Sequence, residues 1–192
     1  QRVSLPLSNH GSGYTVKSTL SKGFYELGLK TSFLVLLNIS KAEQISGGQR
    51  LPYQYRLMRL EPKVIWTPNR HWETSYQTDI RYGGNKIGER TRLAPLWNVT
   101  QQVQLSYIFS PIEASLSVDH YHNDVNEDQS VNAVFADFSV SWKSGRWQIT
   151  TTATNLFDKR TYAYTQYASL ESYTSWVRIR PREFLVAIRY QL

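Results

Sequence analysis

The chain has 192 residues, no cysteine and a net charge of +7 carried by scattered residues rather than a dense basic block. That excludes disulfides and cysteine-based metal sites, and it leaves no clustered basic stripe or recognition module for nucleic acid. Tyr (13), Trp (6) and Phe (7) are plentiful against a single Met, which is strand-forming composition. No apolar run approaches the roughly 18 residues of a transmembrane helix; the longest runs only from Phe33 to Leu37. The chain opens on Gln1 without a signal-peptide pattern, which predicts a processed form or a piece of a longer protein.

Turn residues divide the chain into nine predicted strands, at about 13–21, 24–40, 52–66, 71–82, 96–109, 112–122, 131–142, 147–157 and 174–192. The connections alternate in length. Ser21-Lys22-Gly23, Thr67-Pro68-Asn69-Arg70, Ser110-Pro111 and Lys143-Ser144-Gly145-Arg146 are tight; those spanning about 41–51, 83–95, 123–130 and 158–173 are long and polar. In an antiparallel meander every second connection lies at the same end, so the two ends face different surroundings. Short turns at one end and long loops at the other is the pattern of outer-membrane barrels. The predicted strands mostly reach the 9–11 residues that a membrane-crossing strand needs.

Within strands the side chains alternate. Trp97, Val99, Val103, Leu105, Tyr107 and Phe109 share a face, interrupted by Gln101, and Asn98, Thr100, Gln102, Gln104 and Ser106 share the other. Strands 72–82 and 132–142 repeat the arrangement. A barrel with lipid outside and a wet lumen gives this pattern, and so does a soluble β-sandwich. Aromatics near strand ends, among them Trp66, Trp72, Trp97, Trp142 and Trp147, suit girdles at a membrane boundary. The second strand carries Phe33, Leu34, Val35, Leu36 and Leu37, apolar on both faces, so one face must meet protein. The expected fold is all-β: an antiparallel up-and-down meander of about nine long strands, part of a transmembrane β-barrel, with residues 1–192 forming one unit.

Two segments carry a family resemblance. Thr154-Asn155-Leu156-Phe157-Asp158-Lys159-Arg160 resembles the Asn-Leu-Phe-Asp/Asn-Lys motif on the penultimate strand of TonB-dependent outer-membrane receptors. The ending from Ile179 through Arg180-Pro181-Arg182-Glu183-Phe184 to Leu192 is similar to the closing strand of that family, most of all in Bacteroidetes-type members. Leu192 departs from the family's usual terminal Phe. The resemblance implies the C-terminal part of a 22-stranded barrel, with plug and first strands outside this chain. It implies energy-coupled uptake of a siderophore, cofactor or oligosaccharide across the bacterial outer membrane, without catalysis. The implied partners are membrane lipid and lipopolysaccharide, TonB through the plug, and the barrel-assembly machinery through the C-terminal strand. That strand would present Phe184, Val186, Ile188, Tyr190 and Leu192 to lipid. The alternative is a complete small barrel or sandwich acting as a binding module or adhesin.

Candidate substrate contacts lie on the long loops. Arg90 and Arg92, with Arg81 and Lys86, flank one of them and suit lipopolysaccharide phosphates or an anionic substrate. Tyr162, Tyr164 and Tyr167, with Tyr173, line the last and suit stacking on sugars or siderophores. His120 and His122 share a strand face at metal-ligand spacing, and Asp124, Glu127 and Asp128 crowd the next loop, but no EF-hand spacing is present. No metal or cofactor is expected. No phosphate loop, Gly-x-Ser-x-Gly elbow or His-Glu-x-x-His motif occurs.

Overall fold

The computed structural model describes residues 11–46, 49–88, 91–92, 95–126, 128–167 and 172–191. Its strands are β1 (Ser12–Phe24), β2 (Leu29–Ser46), β3 (Gln49–Asn69), β4 (Trp72–Ile87), β5 (Thr91–Arg92), β6 (Leu96–Phe109), β7 (Ile112–Asp124), β8 (Ser130–Ser144), β9 (Trp147–Thr154), β10 (Thr161–Tyr167), β11 (Ser172–Arg178) and β12 (Glu183–Tyr190). Nine of them form one antiparallel meander in the order β1-β2-β3-β4-β6-β7-β8-β9-β12, with the short β5 beside β4. The expected all-β antiparallel meander of nine long strands is the fold observed. Among the described residues β1 pairs only with β2, and β12 only with β9.

The short turns are held locally. A 3-10 turn at Tyr25–Leu27 leads to Gly28 at φ 62°, where any side chain would run into the Thr67 carbonyl. Asn69 Oδ1 accepts from the backbone N–H groups of His71 (2.8 Å) and Trp72 (3.1 Å), closing the β3–β4 turn. Ser110-Pro111 is cis, and Gly145 takes φ 56° in the β8–β9 turn.

The structure departs from the expected boundaries in four places. The loop expected at 83–95 is strand as far as Ile87, because β4 stays paired with β3 out to Tyr53, and β5 pairs beside it. The stretch 41–51 is mostly strand: β2 and β3 stay paired out to Ser46 and Gln49. The strand expected at 147–157 stops at Thr154, because Asn155 turns to φ 50° and Asp158 to φ 51°. The strand expected at 174–192 is two strands, β11 and β12. Between them lie Ile179–Arg182, where Pro181 has no N–H for a ladder. β11 pairs with β10 as a separate hairpin.

The two faces of the sheet differ in chemistry. Pairing runs Trp72, Tyr76, Tyr82, Trp97, Tyr107, Phe138, Trp142, Trp147 and Ile188 onto one face. Of the large apolar side chains exposed on the nine strands, only Ile108 and Leu185 lie on the opposite face. That opposite face carries Gln77, Asp79, Arg81, Gln102, Ser117, Asp137, Ser139 and Thr152.

The buried apolar residues among those described are Leu96, Ala133, Ala136, Ala153 and Ala163, too few and too small for a soluble core. The accessible surface is 13975 Å², whereas a compact soluble chain of this size exposes about 9,400 Å². The apolar face, rather than an interior, holds the large side chains.

Candidate functional site

The β10–β11 hairpin folds back over the polar face, with β10 lying against β7, β8 and β4. Tyr162 accepts a hydrogen bond from Asn123 Nδ2 at 2.8 Å. Its ring meets Tyr121 edge-on at 5.2 Å and lies 6.4 Å from Phe135. Burial pushes the Tyr162 phenol above its ordinary pKa, against the lowering effect of the Asn123 hydrogen bond. Tyr164 stacks beside it at 6.0 Å. Further along β10, Ala163 and Thr165 are fully covered. Thr165 bonds Thr174 Oγ1 at 2.8 Å and, with Leu36, Leu57 and Leu96, lines a small cavity.

Asn155 fastens the hairpin. It is 6% exposed. Its amide donates to the carbonyls of Lys159 and Arg180, each at 2.8 Å, and its Oδ1 accepts from Lys159 N–H at 3.0 Å. Its own N–H donates to Asp137 Oδ1 on β8 at 2.8 Å. Asn tolerates the left-handed backbone that this turn requires, which a β-branched residue would not. Three residues on, Asp158 accepts from Arg182 N–H at 3.0 Å and from Arg160 at 2.9 Å. The Arg160 hydrogen bond, then that from Arg182, holds the Asp158 carboxyl below the usual carboxylate range.

Between hairpin and sheet lies a cavity of about 770 Å³, open to the polar side and lined by Asp119, Tyr121, Asp137, Tyr162, Arg178 and Arg180 among others. Both charge signs and two phenols meet there. Across the sheet, Asp79 accepts from Arg59 (3.1 and 2.9 Å) and from Arg81 (2.7 Å), and Arg59 also pairs with Glu61. The polar face is therefore a charged, hydrogen-bonded wall.

The other candidate residues are placed as follows. Arg90 lies outside the described residues, as does Leu192. Arg92 is known only by its strand position opposite Lys86, and Tyr167 by its position opposite Ser172. Phe184, Val186, Ile188 and Tyr190 lie on the apolar face, 69%, 66%, 65% and 45% exposed. His120 and His122 share that face with separate partners. His120 Nδ1 is 3.1 Å from Gln101, and His122 lies 2.9 Å from Asn132 and 3.3 Å from Asp124. Asp124 also accepts from Trp97 N–H at 2.8 Å, and Glu127 is not described. Among the described residues no three His, Asp or Glu side chains gather at metal distance.

No family model, curated protein or solved structure matches this chain.

Two features of the site escape sequence reasoning. Asp137 looks like one polar residue among many on β8, yet it anchors Asn155. Trp176, 70% exposed on β11, lies in what the sequence presents as the closing strand; Pro181 is the signal that separates it.

The apolar face has a second kind of order. Trp66 pairs with Thr74, two residues along β4 from Trp72; Trp72 pairs with Tyr107. Phe109, Ile112 and Trp142 share the row two residues below Tyr107. Trp147 and Tyr190 share the next such row. The aromatic line thus drops about one residue per strand. With about 3.3 Å per residue and about 4.8 Å between strands, that is an inclination of roughly 35°. A second aromatic set, Tyr14, Tyr82 and Trp97, lies toward the long loops.

Proposed function

We propose that this chain is a stretch of outer-membrane barrel wall from a TonB-dependent receptor, serving energy-coupled uptake of a siderophore, cofactor or oligosaccharide. The observation that carries the reading is the inclined aromatic line. Strands of membrane barrels tilt by about 35–45°, so a horizontal girdle must cross successive strands at shifting register. The line from Trp66 to Tyr190 has that slope. Trp72 to Tyr82, and Trp97 to Tyr107, are each ten residues apart, about 33 Å along the strand and about 27 Å in height at 35°. The apolar band of such barrels is about 25 Å tall.

The uncovered apolar face favours this reading over a sandwich, in which a second sheet would cover it; among the described residues none does. The receptor family enters through the resemblance of Asn155–Arg160 and of the ending Arg180–Leu192. The polar face would then line the lumen, the hairpin would narrow it, and the cavity beside Tyr162 and Arg178 would meet passing substrate. Cell fractionation of the full-length product tests the membrane assignment. Recovery in the outer membrane, extractable only with detergent, is the expected result, and recovery in the soluble fraction overturns it. Loss of growth on one scarce iron, cofactor or glycan source in a deletion strain, reproduced by deleting TonB, would identify the cargo class.

A further inference from the structure

The rim of the apolar face beyond the second aromatic set is cationic. Pairing places Lys41, Gln54 and Lys86 in one row of that face, and Ile39, Arg56 and Gly84 in the row below it. Tyr82 lies one further row toward the strand centres, opposite Met58. Arg56 and Lys86 flank a groove of about 320 Å³, walled by Tyr82 and Pro95. Gly84 forms its floor; a Cβ there would take up the space in front of Pro95, 3.6 Å from its ring carbons.

Among the described residues neither cation has an acidic partner; Arg56 meets only the neutral Gln54 amide, at 3.5 Å. The described acids on this rim are engaged elsewhere, Glu43 with Arg50 at 3.7 Å and Asp124 with Trp97 N–H and His122.

We infer that this groove binds a phosphate of a lipid headgroup in the leaflet at the long-loop end, with Arg56 and Lys86 as the cationic clamp. The inference rests on the membrane reading above. Depth is the argument for a lipid source. Lys86 lies four residues beyond Tyr82 on β4, about 11 Å in height at the 35° inclination; Arg56 lies on β3, where the inclined line stands one residue further out, and clears it by about 3 Å in height, so the two cations bracket the headgroup layer. The headgroup layer begins at the aromatic girdle and adds about 5–8 Å on each side of the hydrocarbon. A planar guanidinium and a mobile ammonium on opposite walls suit a tetrahedral dianion, and exclusion of bulk water by the acyl chains strengthens the pairing. Lys41, on β2 in the row of Lys86 and one strand from Arg56, adds to the positive field. Each cation near a charged membrane surface contributes about 1 kcal/mol, so removing two should weaken binding by roughly 30-fold.

The test uses the full-length product in detergent micelles, with bisphosphorylated lipid A and its dephosphorylated form as probes, read by native mass spectrometry. The expected result is preferential retention of the phosphorylated lipid, lost in the Arg56→Gln/Lys86→Gln double variant and kept in Lys30→Gln, a cation of the polar face. Equal retention of both lipids, or full retention by the double variant, overturns the proposal. Displacement by millimolar inorganic phosphate would assign the groove to free phosphate and overturn the lipid source. Micelle insertion without phosphate preference removes only this site. A protein that stays soluble without detergent removes the membrane reading and the site with it.

Discussion

The indole of Trp72 packs on the phenol ring of Tyr107, 4.6 Å between centroids, across the β4–β6 pairing. Ten residues along the same two strands, Tyr82 and Trp97 repeat the contact at the same distance. The two pairs mark the top and bottom of one apolar band, with Val99, Val103 and Leu105 between them on β6. Trp72→Ala should therefore destabilise the protein by about 0.5–1.5 kcal/mol beyond the lost area, and Trp72→Phe by clearly less. Urea unfolding in lipid bilayers measures the difference. An alanine variant as stable as the parent would remove the anchoring role.

Charge on the apolar face supplies a second test. Val103 lies midway between the aromatic pairs, opposite Tyr76 and Val118. Val103→Arg should cost about 2–4 kcal/mol in a bilayer. Gln104→Arg, one residue on and facing the polar side, should stay within about 0.5 kcal/mol. Equal costs for the two would mean that the faces are assigned wrongly or that neither meets lipid.

Asn155 concentrates several tasks in one side chain. Asn155→Ala leaves the Lys159 and Arg180 carbonyls and the Lys159 N–H without this partner and puts a Cβ-only residue in the left-handed region, so a loss of about 2 kcal/mol is expected. Asn155→Gly relieves the backbone alone and should recover only part. Limited proteolysis within residues 158–182 should report the loosening, since the hairpin is tied at this point; an unchanged cleavage rate in the alanine variant would deny the tie.

Acid should loosen the same segment. The Asp158 carboxyl titrates below its ordinary range because of Arg160 and the Arg182 N–H. A depressed folded-state pKa gives stability that is present above the unfolded value, about 3.9, and is lost as pH falls through the folded one. Exchange of the Arg182 amide, corrected for its intrinsic pH dependence, should rise below about pH 4 and lose that step in Asp158→Asn. A step that persists in the variant would point to another carboxylate.

The meander was readable in the chain because its signals are local. Alternation over ten or more residues, as in 97–109, needs no tertiary information, and the turn at Asn69-Arg70 announces itself by type. The segment from Asn155 to Arg182 was not readable to the same degree. Thr161–Tyr167 and Ser172–Arg178 have ordinary strand composition, and whether they extend the sheet or fold over it depends on the Asn155 contacts with Asp137 and Arg180, which lie 18 and 25 residues away. The inclination of the aromatic line was legible in neither the periodicity nor the aromatic count alone; it emerged when pairing register was laid beside the positions of Trp66, Trp142 and Trp147. For the candidate contacts, Tyr162 was found by its setting among loop tyrosines, whereas its bond to Asn123 required the fold.

The inclined aromatic line also restricts how this protein can change length over evolutionary time. One residue inserted inside a strand exchanges its two faces from that point on. Two residues restore the faces but push every later aromatic about 7 Å along the strand, out of line with its neighbours. Insertions and deletions are therefore tolerated only beyond the row of Tyr82 and Trp97, where β2 and β3 already overrun it as a paired extension to Ser46 and Gln49. Relatives of this chain should differ in size almost wholly at that end, while the spacing from Trp72 to Tyr82 stays at ten.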